Sequence, residues 1–179
     1  MNHETSFFPV HPQRGAALLT GLIFLVVLTL IGVAAARMAS LEERMSGNMR
    51  DRSQAFQAAE TGLRYVEQQI RTHYKNIEDF DPVCTNGLCY YGKNVVPTVV
   101  AWETYCTPEC PITYVPNTSF GVYKAPELPA GIPAPTYLIE AIAKNVAGEK
   151  AQQHYYRITV RARGARPGTV VWLQEIYKP

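Results

Sequence analysis

Charged side chains disappear between Gly15 and Arg37, and the interval AALLTGLIFLVVLTLIGVAAA is dominated by aliphatic residues. As a helix rising about 1.5 Å per residue, residues 16–36 reach roughly 31 Å, close to the hydrocarbon thickness of a bilayer. A soluble core helix of that length keeps a polar stripe, and this run has none, so the pattern predicts a membrane span. No helix breaker follows it. Residues 37–72 contain no Pro, and apolar positions recur at Leu41, Met45, Met49, Phe56, Ala59, Leu63, Val66 and Ile70. From Phe56 onward the steps alternate between three and four residues, which is one apolar stripe on a helix. Phe56, Leu63, Val66 and Ile70 are therefore the expected packing residues. Glu60 with Arg64 and Glu67 with Arg71 are i,i+4 pairs in the favourable order on the wet side. Span and stripe together predict one helix of about 57 residues, roughly 85 Å long. Gly47-Asn48 is its weakest point, since Gly costs about 1 kcal/mol against Ala in a helix interior.

Beyond Ile70 the texture changes to Tyr, Asp, Pro and Gly. Residues 76–82 read as a connector, residues 95–102 as a short strand interrupted by Pro97, and the proline-rich residues 108–135 as mostly loop. Three stronger strands are predicted at residues 136–144, 155–163 and 169–177, rich in β-branched and aromatic side chains and separated by Gly-containing turns. In the middle one, Tyr156, Ile158, Val160 and Ala162 alternate with Tyr155, Arg157, Thr159 and Arg161, as in a sheet with one buried and one wet face. The buried face has a natural partner in the helix stripe. The expected fold class is α+β: a long N-terminal helix, transmembrane and then amphipathic, packed on a small antiparallel sheet. The expected parts are a leader at 1–15, a span at 16–36, an amphipathic segment at 37–73 and a sheet domain at 74–179.

Composition changes this picture in two ways. The net charge is only +2 with both signs interspersed, which gives no basic patch for nucleic acid. The four cysteines form close pairs, Cys84/Cys89 and Cys106/Cys110, all beyond the span. An even count in an exported domain reads as two disulfides formed in an oxidising compartment, with three pairings open. The spacings C-x4-C and C-x3-C miss the usual zinc knuckles, so no metal is expected there. Arg37, Arg44, Arg50 and Arg52 follow the span, and counting bases alone would keep that side in the cytoplasm. The cysteines argue for the periplasm, and large domains translocate despite nearby charge.

Catalytic patterns are missing. The four histidines are scattered, and there is no H-E-x-x-H, G-x-S-x-G or phosphate-binding glycine loop, so neither catalysis nor a cofactor is expected. Asn76, Asp79 and Asp81 lack the Gly and terminal Glu of a calcium loop and read as a surface turn. Tyr90, Tyr91, Tyr105, Tyr114 and Tyr123 fit either a recognition surface or packing beneath the proline-rich loops.

Two stretches carry a family resemblance. One is QRGAALLTGLIFLVVLTLIGVAAARMASLEERMSGNMRDRSQAFQAAETGLR at residues 13–64; the other is YRITVRARGARPGTVVWLQEIY at residues 156–177. With the segments LEERMSGN-x-RDR and FQAAE, the chain resembles the PilX family of type IV minor pilins. The resemblance implies that a prepilin peptidase cuts between Gly15 and Ala16 and that Ala16 becomes an N-methylated first residue. It implies storage in the inner membrane with the sheet domain in the periplasm, followed by packing of the helix into a pilus. The implied partners are other minor pilins, the major pilin, the inner-membrane assembly platform and a tip adhesin. Two positions depart from the pilin pattern. Ala16 stands where major pilins usually begin with Phe, and Thr20 stands where they usually carry Glu. In pilins that Glu is thought to pair with the terminal ammonium of the subunit above, so Thr20 suits a subunit at the tip that primes assembly.

Three other readings compete. A pseudopilin of a type II secretion system shares the same architecture. A secreted binding protein would be cut at Ala34-Ala35-Ala36, a small-x-small site before Arg37. A membrane-anchored enzyme would need a site that the sequence does not supply.

Overall fold

The computed structural model describes residues 15–74, 77–93, 101–120, 122–145, 148 and 152–179. The chain divides after Gly47 into two compact units. The N-terminal unit is the first part of helix α1 (Ala16–Thr72). An 18-residue window of α1 has mean hydropathy 2.7, and none of it is buried. Leu18, Phe24 and Leu30 are between 66% and 79% exposed. A helix satisfies all its backbone bonds internally, so such a segment persists in a hydrocarbon medium without help from the rest of the chain.

The second unit holds the remainder of α1 and the sheet. Short 3-10 turns at Ile77–Asp79 and Thr85–Gly87 lead to β1 (Leu88–Lys93), α2 (Ala101–Tyr105), β2 (Ile112–Thr113), β3 (Ser119–Phe120), β4 (Tyr123–Lys124), β5 (Thr136–Lys144), β6 (Gln153–Arg163) and β7 (Val170–Tyr177). The main sheet has the order β1-β5-β6-β7, with β2 also paired to β5, while β3 and β4 form a separate hairpin. β5, β6 and β7 form the expected meander, with Ile139 opposite Ile158 and Val160 opposite Leu173. The sheet is mixed rather than antiparallel throughout, because β1 runs parallel to β5 with Leu88 opposite Ile139. Parallel neighbours need a connection of a dozen residues or more, and the long proline-rich stretch before Thr136 provides one. The strand expected at 95–102 is not found where it can be judged. Ala101 and Trp102 open helix α2, and residues 95–100 lie outside the described residues.

The helix meets the sheet along a stripe that overlaps the expected one at Val66 and Ile70 and departs from it at Phe56. Ala55, Ala58, Ala59, Gly62, Tyr65, Val66 and Ile70 are buried, whereas Phe56 is 44% exposed and Leu63 is only partly buried. Size decides this. A Cβ added at Gly62 would lie 2.9 Å from Val160 Cγ1 and 3.3 Å from Pro135 Cγ. A backbone held that close to the sheet admits Ala and Gly and turns a phenyl ring outward. The opposing face is the alternating set Tyr156, Ile158, Val160 and Ala162, with Tyr137, Ile139 and Ala141 of β5 beside it.

The second face of the sheet is not wet along its length, contrary to expectation. Cys84, Cys89, Cys106, Cys110, Ala101 and Leu138 form a second buried cluster, with Tyr91, Trp102 and Tyr105 packed against it. This cover explains Glu140, which is fully buried in the middle of β5. Its carboxylate accepts from Arg157 Nε at 2.6 Å and Nη2 at 2.5 Å, a two-pronged pair that keeps the buried charge matched. Thr159, on the same face, is 2% exposed.

The tyrosines pack rather than project. Tyr65 makes edge contacts with Tyr114 at 4.8 Å and Tyr137 at 6.0 Å between centroids. The Tyr137 hydroxyl donates to Gln69 Oε1 at 2.7 Å, and the Tyr114 hydroxyl donates to the Pro126 carbonyl. Burial pushes the Tyr114 phenol up to about 12. Among the five tyrosines singled out from the sequence, Tyr114 is buried and the other four are intermediate.

Candidate functional site

The N-terminal candidate is built from very few groups. Gly15 is an exposed turn residue directly before α1, and Ala16 is the first helical residue, also exposed. Among the described residues nothing beyond its chain neighbours and the helix backbone lies within 4 Å of the Cβ position of Gly15. One turn on, Thr20 Oγ1 lies 3.0 Å from the Ala16 carbonyl oxygen and 3.1 Å from that of Ala17. The hydroxyl donates to its own helix, a common arrangement for Thr in apolar helices. There is no acidic residue in the first turn of α1. The positive pole of the helix therefore has no carboxylate from its own first turn beside it.

A second constellation escaped the sequence reading. Asp51 is 5% exposed on the inward side of α1, one turn before Ala55. Its Oδ1 accepts from the Ala165 N–H at 2.7 Å and the Arg166 N–H at 3.4 Å, both in the β6–β7 turn. Arg166 Nη1 also donates to Asn48 Oδ1. A Cβ on Gly164 would fall 2.5 Å from Asp51 Oδ1, so the turn can approach the carboxylate only with glycine there. The Thr169 side chain is the largest influence holding the Asp51 carboxyl below its ordinary range; burial opposes it, and the Ala165 and Arg166 backbone donors assist. Asn48, Asp51 and the segment 164–166 belong to the two stretches that carry the family resemblance, and they bind each other. The signal was present: Asp51 continues the stripe of Ala55, Ala58 and Gly62, and an acid on an inward face predicts waiting backbone donors.

The cysteines pair locally, Cys84 with Cys89 and Cys106 with Cys110, and none is free. Each closes a loop of only a few residues, which in the chain-entropy picture contributes roughly 2 kcal/mol. Asp81 organises the first loop: its Oδ1 accepts from the Val83 N–H at 2.7 Å and the Thr85 N–H at 3.2 Å. Its carboxyl is held low, chiefly by the Thr85 side chain. Asn76 lies outside the described residues. Among the described residues no group of three or more His, Cys, Asp or Glu is arranged to hold a metal.

A long apolar helix joined to a small disulfide-braced sheet defines the class of pilin-like proteins. Residues 14–64 match the family "PilX N-terminal", and residues 85–179 match "Type IV pilus assembly protein PilX C-term". The chain belongs to the PilX family of type IV pilus assembly proteins. No curated protein and no solved structure matches it. The family consists of structural pilus components, so this chain acts with other parts of a pilus, and its apolar helix suits single-pass anchoring in a membrane.

Proposed function

We propose that this chain is a minor pilin occupying the uppermost position in a pilus, within a complex of minor pilins that primes assembly. The observation that carries the reading is Thr20. Its hydroxyl is turned onto the Ala16 and Ala17 carbonyls, so the position offers no carboxylate to the terminal ammonium of a subunit above. A subunit that makes no such pairing loses nothing by having no neighbour above it. In this reading a prepilin peptidase cuts the exposed Gly15–Ala16 bond and Ala16 is methylated. Residues 16–36 hold the protein in the inner membrane, and the sheet domain folds in the periplasm, where its disulfides form. Other minor pilins, the major pilin and the assembly platform are the partners.

Thr20→Glu tests the position. Native protein is expected to support full surface piliation in a deletion background, with Thr20→Glu equal to it or poorer. A clear gain in pilus yield from the substituted protein would show that the carboxylate is wanted, and the uppermost position would be lost. Intact mass of the mature chain tests the processing separately. Methyl-Ala16 is expected; a chain beginning at Arg37 would indicate signal-peptidase secretion, and one beginning at Met1 a permanent anchor.

A further inference from the structure

The two tryptophans of the chain, distant in sequence, meet on the face of the sheet turned away from α1. Trp102 comes from α2 and Trp172 from β7, with ring centroids 5.6 Å apart at 53°. Together with Thr159, Leu173 and Gln174 they line a cleft of about 380 Å³, a size suited to a few ring-sized groups. Trp172 is 40% exposed, and Ile176, four residues further along β7 on the same side, is 66% exposed.

The chemistry of the lining narrows its occupant. Among the described residues no lining side chain is charged. Arg161 stands 5.5 Å from the Trp172 ring centre, but it is matched by Glu109 at 3.7 Å, and Glu109 is also paired with Arg163. Two guanidinium groups thus share one carboxylate, so the rim keeps a net positive charge that disfavours a cationic ligand and favours groups that accept hydrogen bonds. The indoles touch each other, so a flat aromatic ring has no slot between them. Among the described residues neither indole N–H has a hydrogen-bond partner, and neither is sealed from solvent. One Gln174 Nε2 hydrogen goes to Thr159 Oγ1 at 2.9 Å, and Gln174 Oε1 is the main side-chain acceptor in the lining. The cleft thus offers apolar ring faces and a surplus of donors. A saccharide would bring about as many O–H donors as acceptors, and most of its donors would go unanswered. A proline-rich strand brings apolar rings and strongly accepting carbonyls, and its proline nitrogens carry no N–H to satisfy.

We propose that the Trp102–Trp172 cleft is a docking site for a proline-rich, extended segment of a partner protein. Binding follows the mode in which polyproline II segments lie on aromatic grooves, with indole N–H groups donating to carbonyls of the ligand. This assignment stands independently of the uppermost position proposed above.

Because both tryptophans lie in the cleft, intrinsic fluorescence reads it directly. The mature full chain in lipid bicelles is titrated with a capped polyproline peptide of about ten residues, with a Gly/Ser peptide of equal length and maltotriose as comparisons. A saturable emission change with polyproline alone is expected. Trp102→Ala and Trp172→Ala, each read from the remaining tryptophan, should weaken binding by more than about tenfold, the scale of an aromatic hot spot. Trp172→Phe keeps a ring and removes the donor; it should lose several-fold in affinity with an unchanged far-UV circular dichroism spectrum. No saturable response, an equal response to the Gly/Ser peptide, or saturation by maltotriose instead would overturn the assignment. Undiminished binding by Trp172→Phe would overturn the donor argument at its base.

Discussion

Two stretches of helix α1 obey opposite rules. In residues 16–36 every residue is exposed and most side chains are aliphatic, from Leu18 at 79% to Val27 at 46%. From Asn48 to Thr72 the buried positions are small or polar as often as they are large: Ala55, Ala58, Ala59, Gly62 and Asp51 beside Val66 and Ile70. The first stretch satisfies a medium, and any apolar side chain of moderate size will serve. The second satisfies a specific surface, where shape and individual hydrogen bonds decide. Hydrophobicity is thus sufficient for the first stretch and only partly so for the second, where it locates Val66 and Ile70 but not the outward Phe56 or the inward Gly62.

Substitutions of like chemistry in the two stretches give the largest contrast. Ile70→Ala should destabilise the sheet domain by about 2–5 kcal/mol, the range for truncating a buried aliphatic side chain. Ile23→Ala should leave the same transition within about 0.5 kcal/mol, as should Phe56→Ala. Thermal unfolding of the three variants in bicelles, followed by near-UV circular dichroism, checks this; equal shifts would erase the distinction. Glycine provides a finer contrast. Gly62→Val forces a side chain against Val160 and Pro135 and should lose about 1–3 kcal/mol, whereas Gly32→Val, with nothing within 4 Å, should not move the transition.

The smallest effect is the response to acid. Asp51 is held below the ordinary carboxylate range in the folded protein. The unfolded chain therefore takes up the proton first as pH falls. Its contribution is complete above the ordinary carboxylate pKa and disappears as pH drops through the lowered folded value. Asp51→Asn should flatten part of the fall in melting temperature between about pH 5 and pH 2. Asp81 titrates in the same sense. Glu175 titrates in the opposite one, raised by burial and by its contact with Glu67. The informative quantity is thus the difference between variant and native. An unchanged acid limb would mean that the Asp51 clamp does not close in solution.

Much of this architecture was legible because it is periodic. The uncharged run, the absence of Pro through Thr72, and the β-branched alternation at 136–144 and 155–163 each show a single neighbour relation repeated many times. The parts that were not legible depend on one close contact each. The Asp51 clamp joins α1 to a turn more than a hundred residues away in sequence, and the face expected to be wet is partly covered, around Leu138 of β5, by disulfide loops whose own sequence shows no regular pattern. The direction of β1 relative to β5 depends on the course of the connection, which leaves no mark in the residues LCYYGK themselves.

The sequence by itself determined the span, the long helix, the three principal strands and the presence of four cysteines available for pairing. Repeated local preferences suffice for these, since each residue needs only its near neighbours and its medium. Tertiary structure alone decided which helix stripe is buried, how the cysteines pair, what Asp51 holds and that Trp102 meets Trp172. Those outcomes rest on side-chain size and donor geometry at single points, where a difference of one methyl group outweighs the average hydrophobicity of a turn.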